Sequence, residues 1–141
     1  MKHHVVLRVV AKLLIPYILL YAFYVQFHGD YGPGGGFQAG VIFASAFILH
    51  ALVFGLESAR KAAPSGAVRF GISLGVLLYA GTGVFGLLLG GNFLDYSVLS
   101  STPTSGQHLG ILIVEAGVGI TVASVIIAIF FAFAGRRRRV E

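Results

Sequence analysis

A single carboxylate inside a long apolar run is the residue most able to do chemistry in this sequence. Glu115 follows Leu112, Ile113 and Val114 and precedes Ala116. A carboxylate at membrane depth is costly, so it normally faces protein or water and has a role. Glu115 is therefore a candidate for exchanging a proton or pairing a cation. The alternative is a neutral glutamic acid that is hydrogen-bonded to a neighbouring helix.

Other titratable groups could extend a path for protons or ions. His108 comes seven residues before Glu115, which places both on one helix face, although His108 could instead face lipid headgroups. His50 precedes Glu57 by the same spacing. A histidine exchanges protons near neutral pH, but His50 could equally serve as a hydrogen-bonding residue. Glu57 is also spaced for an ion pair with Arg60.

The most distinctive segment is HGDYGPGGGFQAG, residues 28–40. Its three consecutive glycines, at 34–36, precede a helix and leave unhindered backbone N–H groups at the positive helix end. The segment lacks the Gly-Lys-Ser/Thr sequence that closes a nucleotide-binding P-loop. His28 and Asp30 could collect cations or protons at this turn. The alternative is a tight turn that allows close backbone contact with a partner.

The sequence offers no arrangement for covalent catalysis. It contains no cysteine, which excludes disulfides, zinc-finger sites and thiol chemistry. One histidine with one aspartate does not make a metal site, and no nucleophile–base pair or paired-carboxylate site occurs. We therefore expect no enzymatic activity, no catalytic residue, no metal site and no cofactor.

The composition places the chain in a lipid bilayer. Of its 141 residues, 57% are hydrophobic and 11% are charged, whereas an average globular chain carries roughly 25% charge. A chain of this length has too little volume to bury so much apolar surface in a soluble core. The net charge of +5 could suggest nucleic acid in a soluble domain. Here the basic residues lie at the chain ends and in one connector, so we expect no nucleic-acid partner.

Four apolar stretches are long enough for the roughly 20 residues of a membrane-spanning helix. They cover about residues 9–27, 37–56, 68–89 and 109–134. No alternation of period two occurs, which argues against a β-barrel. No small-residue cleavage pattern follows the first stretch, so we expect a retained helix rather than a signal peptide. The predicted fold is a single all-α membrane domain with four transmembrane helices.

The distribution of basic residues predicts the orientation of the chain. Lysine and arginine occur near the N-terminus, between the second and third spans, and after the fourth: Lys2, Arg8, Lys12, Arg60, Lys61, Arg69 and the run 136–139. The other two connectors contain none. The positive-inside rule then places both termini and the middle connector in the cytoplasm. The arginine run would also contact anionic lipid.

Glycine spacing suggests that the chain belongs to a larger assembly. Pairs four residues apart, such as Gly71 and Gly75 or Gly106 and Gly110, allow helix backbones to approach closely. These small faces offer more packing surface than one four-helix cluster needs. No internal repeat is visible, which argues against a self-contained transporter built from inverted repeats.

The glycine-rich segment also resembles a known family. The match combines residues 27–30, the mid-span His50 and the chain length with the opening of the second span, which reads Gly34, Gly35, Gly36, Phe37, Gln38, Ala39 and Gly40. Together they resemble the MnhB-like family, a family of small subunits of the multisubunit Mrp-type cation/proton antiporter.

The resemblance implies a small, multi-pass protein in the plasma membrane of a bacterium. Its partners would be the other antiporter subunits, and the assembly would export sodium in exchange for protons, for pH homeostasis and salt tolerance. The role of the MnhB-like protein within that assembly is not fixed by the resemblance. It could line a polar path, act purely as a scaffold, or be the equivalent component of a redox-coupled respiratory or hydrogenase-type complex.

Overall fold

The protein is all-helical in the part that the computed structural model describes, residues 5–29 and 32–136. The helices, in chain order, are α1 (Val5–His28), α2 (Gly36–Phe54), α3 (Leu56–Ala62), α4 (Ser65–Leu88) and α5 (Pro103–Arg136), with a short 3-10 turn at Tyr96–Leu99. This confirms the predicted all-α class. Lys2, Asp30 and the arginines at 137–139 lie outside the described residues.

Four of these helices are long and apolar enough to cross a membrane, namely α1, α2, α4 and α5. At about 1.5 Å per residue, α1 and α4, with 24 residues each, reach about 36 Å, compared with roughly 30 Å for a bilayer core. The 34 residues of α5 reach about 51 Å by the same rise, so α5 is longer than the bilayer core is thick. The four predicted spans are confirmed.

Gly55 interrupts the second predicted span. Its φ angle of 97° lies in the left-handed region that favours glycine, so α2 ends at Phe54 and a separate short helix, α3, begins at Leu56. His50 therefore lies on α2 and Glu57 on α3. The seven-residue spacing that would place both on one continuous helix face does not apply, because the helix is broken between them.

The four long helices pack in a layer. Their order across this layer differs from their order along the chain. α1 packs on α2, α2 on α5, and α5 on α4, while α1 touches α5 only slightly. α1 and α4 therefore lie at opposite edges of the layer. The long α5 contacts the three other spanning helices that the structure describes: α2 and α4 extensively, and α1 only slightly.

The interior consists mainly of small residues. The buried cluster where α2, α3 and α5 meet contains Ala44, Ala51 and Ala59, together with Ile127 and Phe131. No large side chain is fully buried within the described ranges, and the outer surface of α1 and α4 is rich in exposed large hydrophobic residues. Lipid tails are as apolar as leucine, so close packing rather than escape from water holds such helices together.

The contact between α4 and α5 shows this close packing. A Cβ atom added at Gly117 would lie 2.8 Å from the carbonyl oxygen of Gly75, and one at Gly75 would lie 2.8 Å from the backbone nitrogen of Thr121 and would also collide with the carbonyl oxygen of Gly117. Gly71 likewise faces Ser124 on α5. The small faces that the spacing suggested for a partner are thus largely used within the chain.

The connector between α4 and α5 folds back on the start of α5. The ring of Tyr96 covers Gly110, and the backbone carbonyl oxygen of Tyr96 lies against Gly106. The Asp95 carboxylate accepts hydrogen bonds from the Ser97 hydroxyl and, at 3.1 Å, from the Ser97 N–H, which lower the pKa of Asp95. Burial raises the pKa of the Tyr96 hydroxyl. Gly106 and Gly110 therefore provide room for this connector.

We expect Gly75→Ala to weaken the packing of α4 on α5, because the added methyl group meets backbone atoms that cannot move aside. Overpacking of this kind costs about 1–3 kcal/mol. Gly81→Ala is the matched control, since it lies on the same helix and a Cβ there meets nothing within 4 Å. Thermal unfolding of the purified protein in detergent would compare the two. Equal midpoints for both variants would contradict the packing described here.

Candidate functional site

The carboxylate of Glu115 lies against the glycine-rich turn between α1 and α2. A Cβ atom at Gly29 would lie 2.7 Å from Glu115 Oε2, and one at Gly35 would lie 3.1 Å from Glu115 Oε1. Glu115 itself is half-buried. The structure thus brings together the two features that the sequence singled out separately, at a distance of 80 residues along the chain from Gly35 (115 − 35).

This arrangement depends on direct contact between the backbones of α2 and α5. A Cβ atom at Gly36 would collide with the carbonyl oxygen of Glu115 and would lie 3.0 Å from the backbone nitrogen of Gly119. One turn later, a Cβ at Gly40 would lie 2.7 Å from the carbonyl oxygen of Gly119. Glycine at these positions lets α2 begin directly on α5 and leaves the Glu115 side chain at the turn.

The turn itself requires a backbone that only glycine adopts easily. Gly35 has a φ angle of 124°, which strains any residue with a side chain. Its N–H donates to the carbonyl oxygen of Val25 at 3.4 Å, and the N–H of Gly32 donates to that of His28 at 3.1 Å. These bonds return the chain from the end of α1 to the start of α2.

Gln26 is a polar residue at this junction that the sequence analysis missed. Its Nε2 atom is buried and has no hydrogen-bond partner in the structure, while its Oε1 atom would lie 2.6 Å from a Cβ at Gly119. Gly119 is one helical turn after Glu115, so Gln26 of α1 contacts α5 one turn beyond Glu115. A polar side chain in the last turns of an apolar span was the available signal.

An apolar cavity of about 610 Å³ adjoins Gln26. Its walls come from α1, α2, α4 and α5, and Gln26 and Ser124 are the polar side chains among them. Gly119 also lines it. The cavity therefore reaches the amide of Gln26 from the interior of the helix layer.

The junction brings together groups that can interact with a proton or a single cation. The start of α2 presents backbone N–H groups and a partial positive charge beside the Glu115 carboxylate. Backbone carbonyls near a helix interruption can coordinate Na⁺ in transporters. No group of three or more metal-ligating side chains occurs within residues 5–29 and 32–136.

His28 and His108 lie near this junction in different ways. The His28 ring stacks on Tyr24, with 5.2 Å between ring centroids, and its Nε2 atom would lie 2.9 Å from a Cβ at Gly32. His108 is exposed on α5, about 10 Å along the helix from Glu115 at 1.5 Å per residue. Asp30, the other predicted residue of this turn, lies outside the described residues.

His50 and Glu57 lie at the opposite end of α2. His50 Nε2 is 3.0 Å from the hydroxyl oxygen of Ser58, and its ring packs on Phe54. About 21 Å of helix separates Gly36 from His50 at 1.5 Å per residue. Glu57 is exposed on α3. The structure therefore does not place these two residues with Glu115.

The motif residues at the start of α2 divide between two faces. Gly35, Gly36, Ala39 and Gly40 are buried against the rest of the chain, while Phe37 and Gln38 are exposed. The exposed fraction of Phe37 is 64%. The glycines thus serve internal packing, and the aromatic and amide side chains point out of the helix layer.

This geometry accompanies a match to a described family. Residues 6–128 match the family described as "Domain related to MnhB subunit of Na+/H+ antiporter". The chain belongs to this family. The resemblance seen in the glycine-rich segment is thereby confirmed over most of the chain.

Individual relatives of this MnhB-related chain agree over nearly the full length. A protein of Staphylococcus aureus (strain Newman) named "Putative antiporter subunit mnhB2" is 36% identical over 139 residues, which cover 96% of this chain and 98% of the relative. The protein of the same name from strain COL shows the same identity and coverage. The chain is a small membrane subunit of a multisubunit Na⁺/H⁺ antiporter, so its partners are other subunits and its family works in transport.

We expect Gly36→Ala to destabilise the junction of α2 with α5, because its methyl group would collide with the Glu115 carbonyl oxygen. A cost of about 1–3 kcal/mol is typical of such overpacking. Gly66→Ala, in the first turn of α4 and with open space around its Cβ, is the control. The yield of correctly assembled complex after gentle detergent extraction measures the effect. A Gly36→Ala complex that assembles as well as the Gly66→Ala complex would disprove the contact.

Proposed function

We propose that Glu115 exchanges a proton, or transiently pairs a cation, during Na⁺/H⁺ exchange by the assembled antiporter. The observation that supports this role is the position of its carboxylate against the turn between α1 and α2. An ionisable group within a membrane-spanning helix is costly and normally functional. The start of α2 lies beside the carboxylate, and the buried Gln26 amide lies against Gly119, one turn further along α5.

The turn offers both donors and acceptors beside Glu115. The start of α2 presents backbone N–H groups to the carboxylate, and backbone carbonyl oxygens near such a helix start can coordinate Na⁺ in transporters. Because Glu115 is half-buried, it remains reachable from a neighbouring subunit.

The basic residues support an orientation in which this junction faces outward. The Arg8 guanidinium lies 5.4 Å from the ring centroid of Phe54, and Arg60 lies 3.5 Å from the carbonyl oxygen of Phe131 near the end of α5. The described arginines at the start of α1, on α3 and at the end of α5 thus lie at one end of the helix layer. The positive-inside rule places that end in the cytoplasm, so both termini would be cytoplasmic.

The cellular setting follows from the same proposal. We propose that the complex is located in the bacterial plasma membrane, exports sodium against entering protons, and serves pH homeostasis and salt tolerance. Membrane lipid would surround the uncovered apolar faces. In this proposal the chain has no resident cofactor and performs no covalent catalysis. Na⁺ and H⁺ are the ions that the complex transports.

We expect Glu115→Gln to lower Na⁺/H⁺ exchange by about tenfold or more, since glutamine keeps the shape but cannot release a proton. Exchange is measured as dissipation of a pH gradient in vesicles that contain the whole complex. Glu57→Gln makes the same chemical change on the exposed short helix α3 and should affect exchange much less.

A purely structural role predicts a different result. Vesicles with normal exchange and fully assembled Glu115→Gln complex would rule out proton or cation handling at this residue and favour a scaffold. Loss of assembly with either variant would be detected by co-purification before exchange is measured. The dependence of the exchange rate on Na⁺ concentration would further distinguish cation pairing from proton exchange.

The orientation can be tested with single cysteines, because the chain has none of its own. Ser100→Cys lies in the connector before α5, and Ser65→Cys lies at the start of α4; both serines are exposed. We expect a membrane-impermeant maleimide to label Ser100→Cys in intact cells and Ser65→Cys only after permeabilisation. The reverse pattern would place the Glu115 junction on the cytoplasmic side.

A further inference from the structure

Three tyrosines and one histidine form a continuous stripe on one face of α1. Tyr17, Tyr21, Tyr24 and His28 are spaced by four, three and four residues, which places them on the same helix face. The rings of Tyr21 and Tyr24 stack with 6.1 Å between centroids, and those of Tyr24 and His28 with 5.2 Å. We call these four residues the tyrosine stripe.

The tyrosine stripe faces away from the rest of the chain. The exposed fractions of Tyr17, Tyr21 and Tyr24 are 64%, 56% and 57%. The buried residues of α1 are Ala11, Ala22 and Val25, which lie on the side that packs on α2. α1 is also an edge helix of the layer, and these exposed fractions show that the described part of the chain leaves the three tyrosines uncovered.

Two of these tyrosines lie deep within the membrane-spanning part of α1. At about 1.5 Å per residue, Tyr21 is about 10 Å from His28 and about 13 Å from Lys12 along the helix axis. Tyr17 is about 16 Å from His28 by the same rise. Lys12 and His28 flank this largely apolar run, so Tyr21 lies close to its middle.

A tyrosine at this depth is not explained by contact with lipid. Tyrosine is enriched at the membrane–water interface, where its hydroxyl group meets water or headgroups. Hydrocarbon tails offer no acceptor, and a hydroxyl group without a hydrogen bond is costly in an apolar environment. Phenylalanine or leucine would avoid this cost on a face that touches only lipid, yet this face carries a hydroxyl group at nearly every turn.

We propose that the tyrosine stripe is the interface with a transmembrane helix of another antiporter subunit, one that presents oxygen acceptors to the hydroxyl groups of Tyr17 and Tyr21. Side-chain carboxyl, amide or hydroxyl oxygens at two depths about 6 Å apart would match four residues of helix rise. A second copy of this chain fits less well, because two facing tyrosine hydroxyl groups share one hydrogen bond and leave one donor of each pair unsatisfied. Tyrosine is also among the residues that dominate binding energy at protein interfaces.

The position of the stripe links this interface to the Glu115 junction. His28 ends the stripe and lies against Gly32 in the glycine-rich turn. The partner helix would therefore pass beside the turn that contacts Glu115. The interface rests on the chain's membership of the antiporter complex and not on proton exchange by Glu115, so either proposal can fail without the other.

The first test removes only the hydroxyl groups. The double variant Tyr17→Phe, Tyr21→Phe should reduce the amount of other subunits that co-purify with this chain by about fivefold or more, corresponding to about 1 kcal/mol. Tyr79→Phe on α4, at 41% exposure, makes the same change on the opposite edge of the layer and should leave co-purification unchanged. A lipid-facing stripe predicts equal or better recovery of the double variant, which would overturn the proposal.

The second test detects the contact directly and does not require the complex to be weakened. A photo-crosslinking benzoylphenylalanine replaces Tyr21 in the otherwise unchanged chain within the intact complex, and the products are identified by mass spectrometry. The proposal predicts an adduct to a different subunit, with the crosslinked residue beside an acceptor side chain. Adducts only to lipid, or only to a second copy of this chain, would overturn it, whatever the outcome of the Glu115→Gln experiment.

Discussion

The direct contact between the backbones of α2 and α5 is the constraint on which the other features depend. Gly36 begins α2 where the carbonyl oxygen of Glu115 leaves no room for a side chain, and Gly40 meets Gly119 one turn later. Because the two helices touch here, the turn from α1 has to close over the same point of α5. The Glu115 carboxylate lies against that turn.

The bilayer explains why such contacts replace a conventional core. Apolar side chains gain little by leaving lipid for protein, so helices associate through close backbone approach and hydrogen bonds. The interior accordingly contains alanine and glycine, while large apolar residues remain on the surface. Water can form hydrogen bonds with a polar group on the surface of a soluble protein. Lipid tails cannot, so a polar group on this surface needs a partner from protein. The tyrosine stripe of α1 is the clearest example.

Two polar regions of the protein meet at the turn between α1 and α2. Glu115 and Gln26 approach the glycine-rich turn from inside the helix layer, and His28 approaches it from the outer face of α1. His50, hydrogen-bonded to Ser58 at the far end of α2, belongs to the packing of α2 on α3. Both polar regions lie at the same turn of a chain that belongs to an antiporter complex.

The sequence by itself determined the membrane environment, the number of apolar spans and the family, because long apolar runs and the segment GGGFQAG are local features. It also singled out Glu115, since an acidic residue in an apolar run is conspicuous without a structure. It did not reveal the break at Gly55, which separates His50 from Glu57, or the amide of Gln26 at the junction. Those depend on backbone angles and on which helices become neighbours. Only the tertiary structure joined Glu115 to the turn, because close packing in lipid is decided by the surfaces that meet and not by distance along the chain.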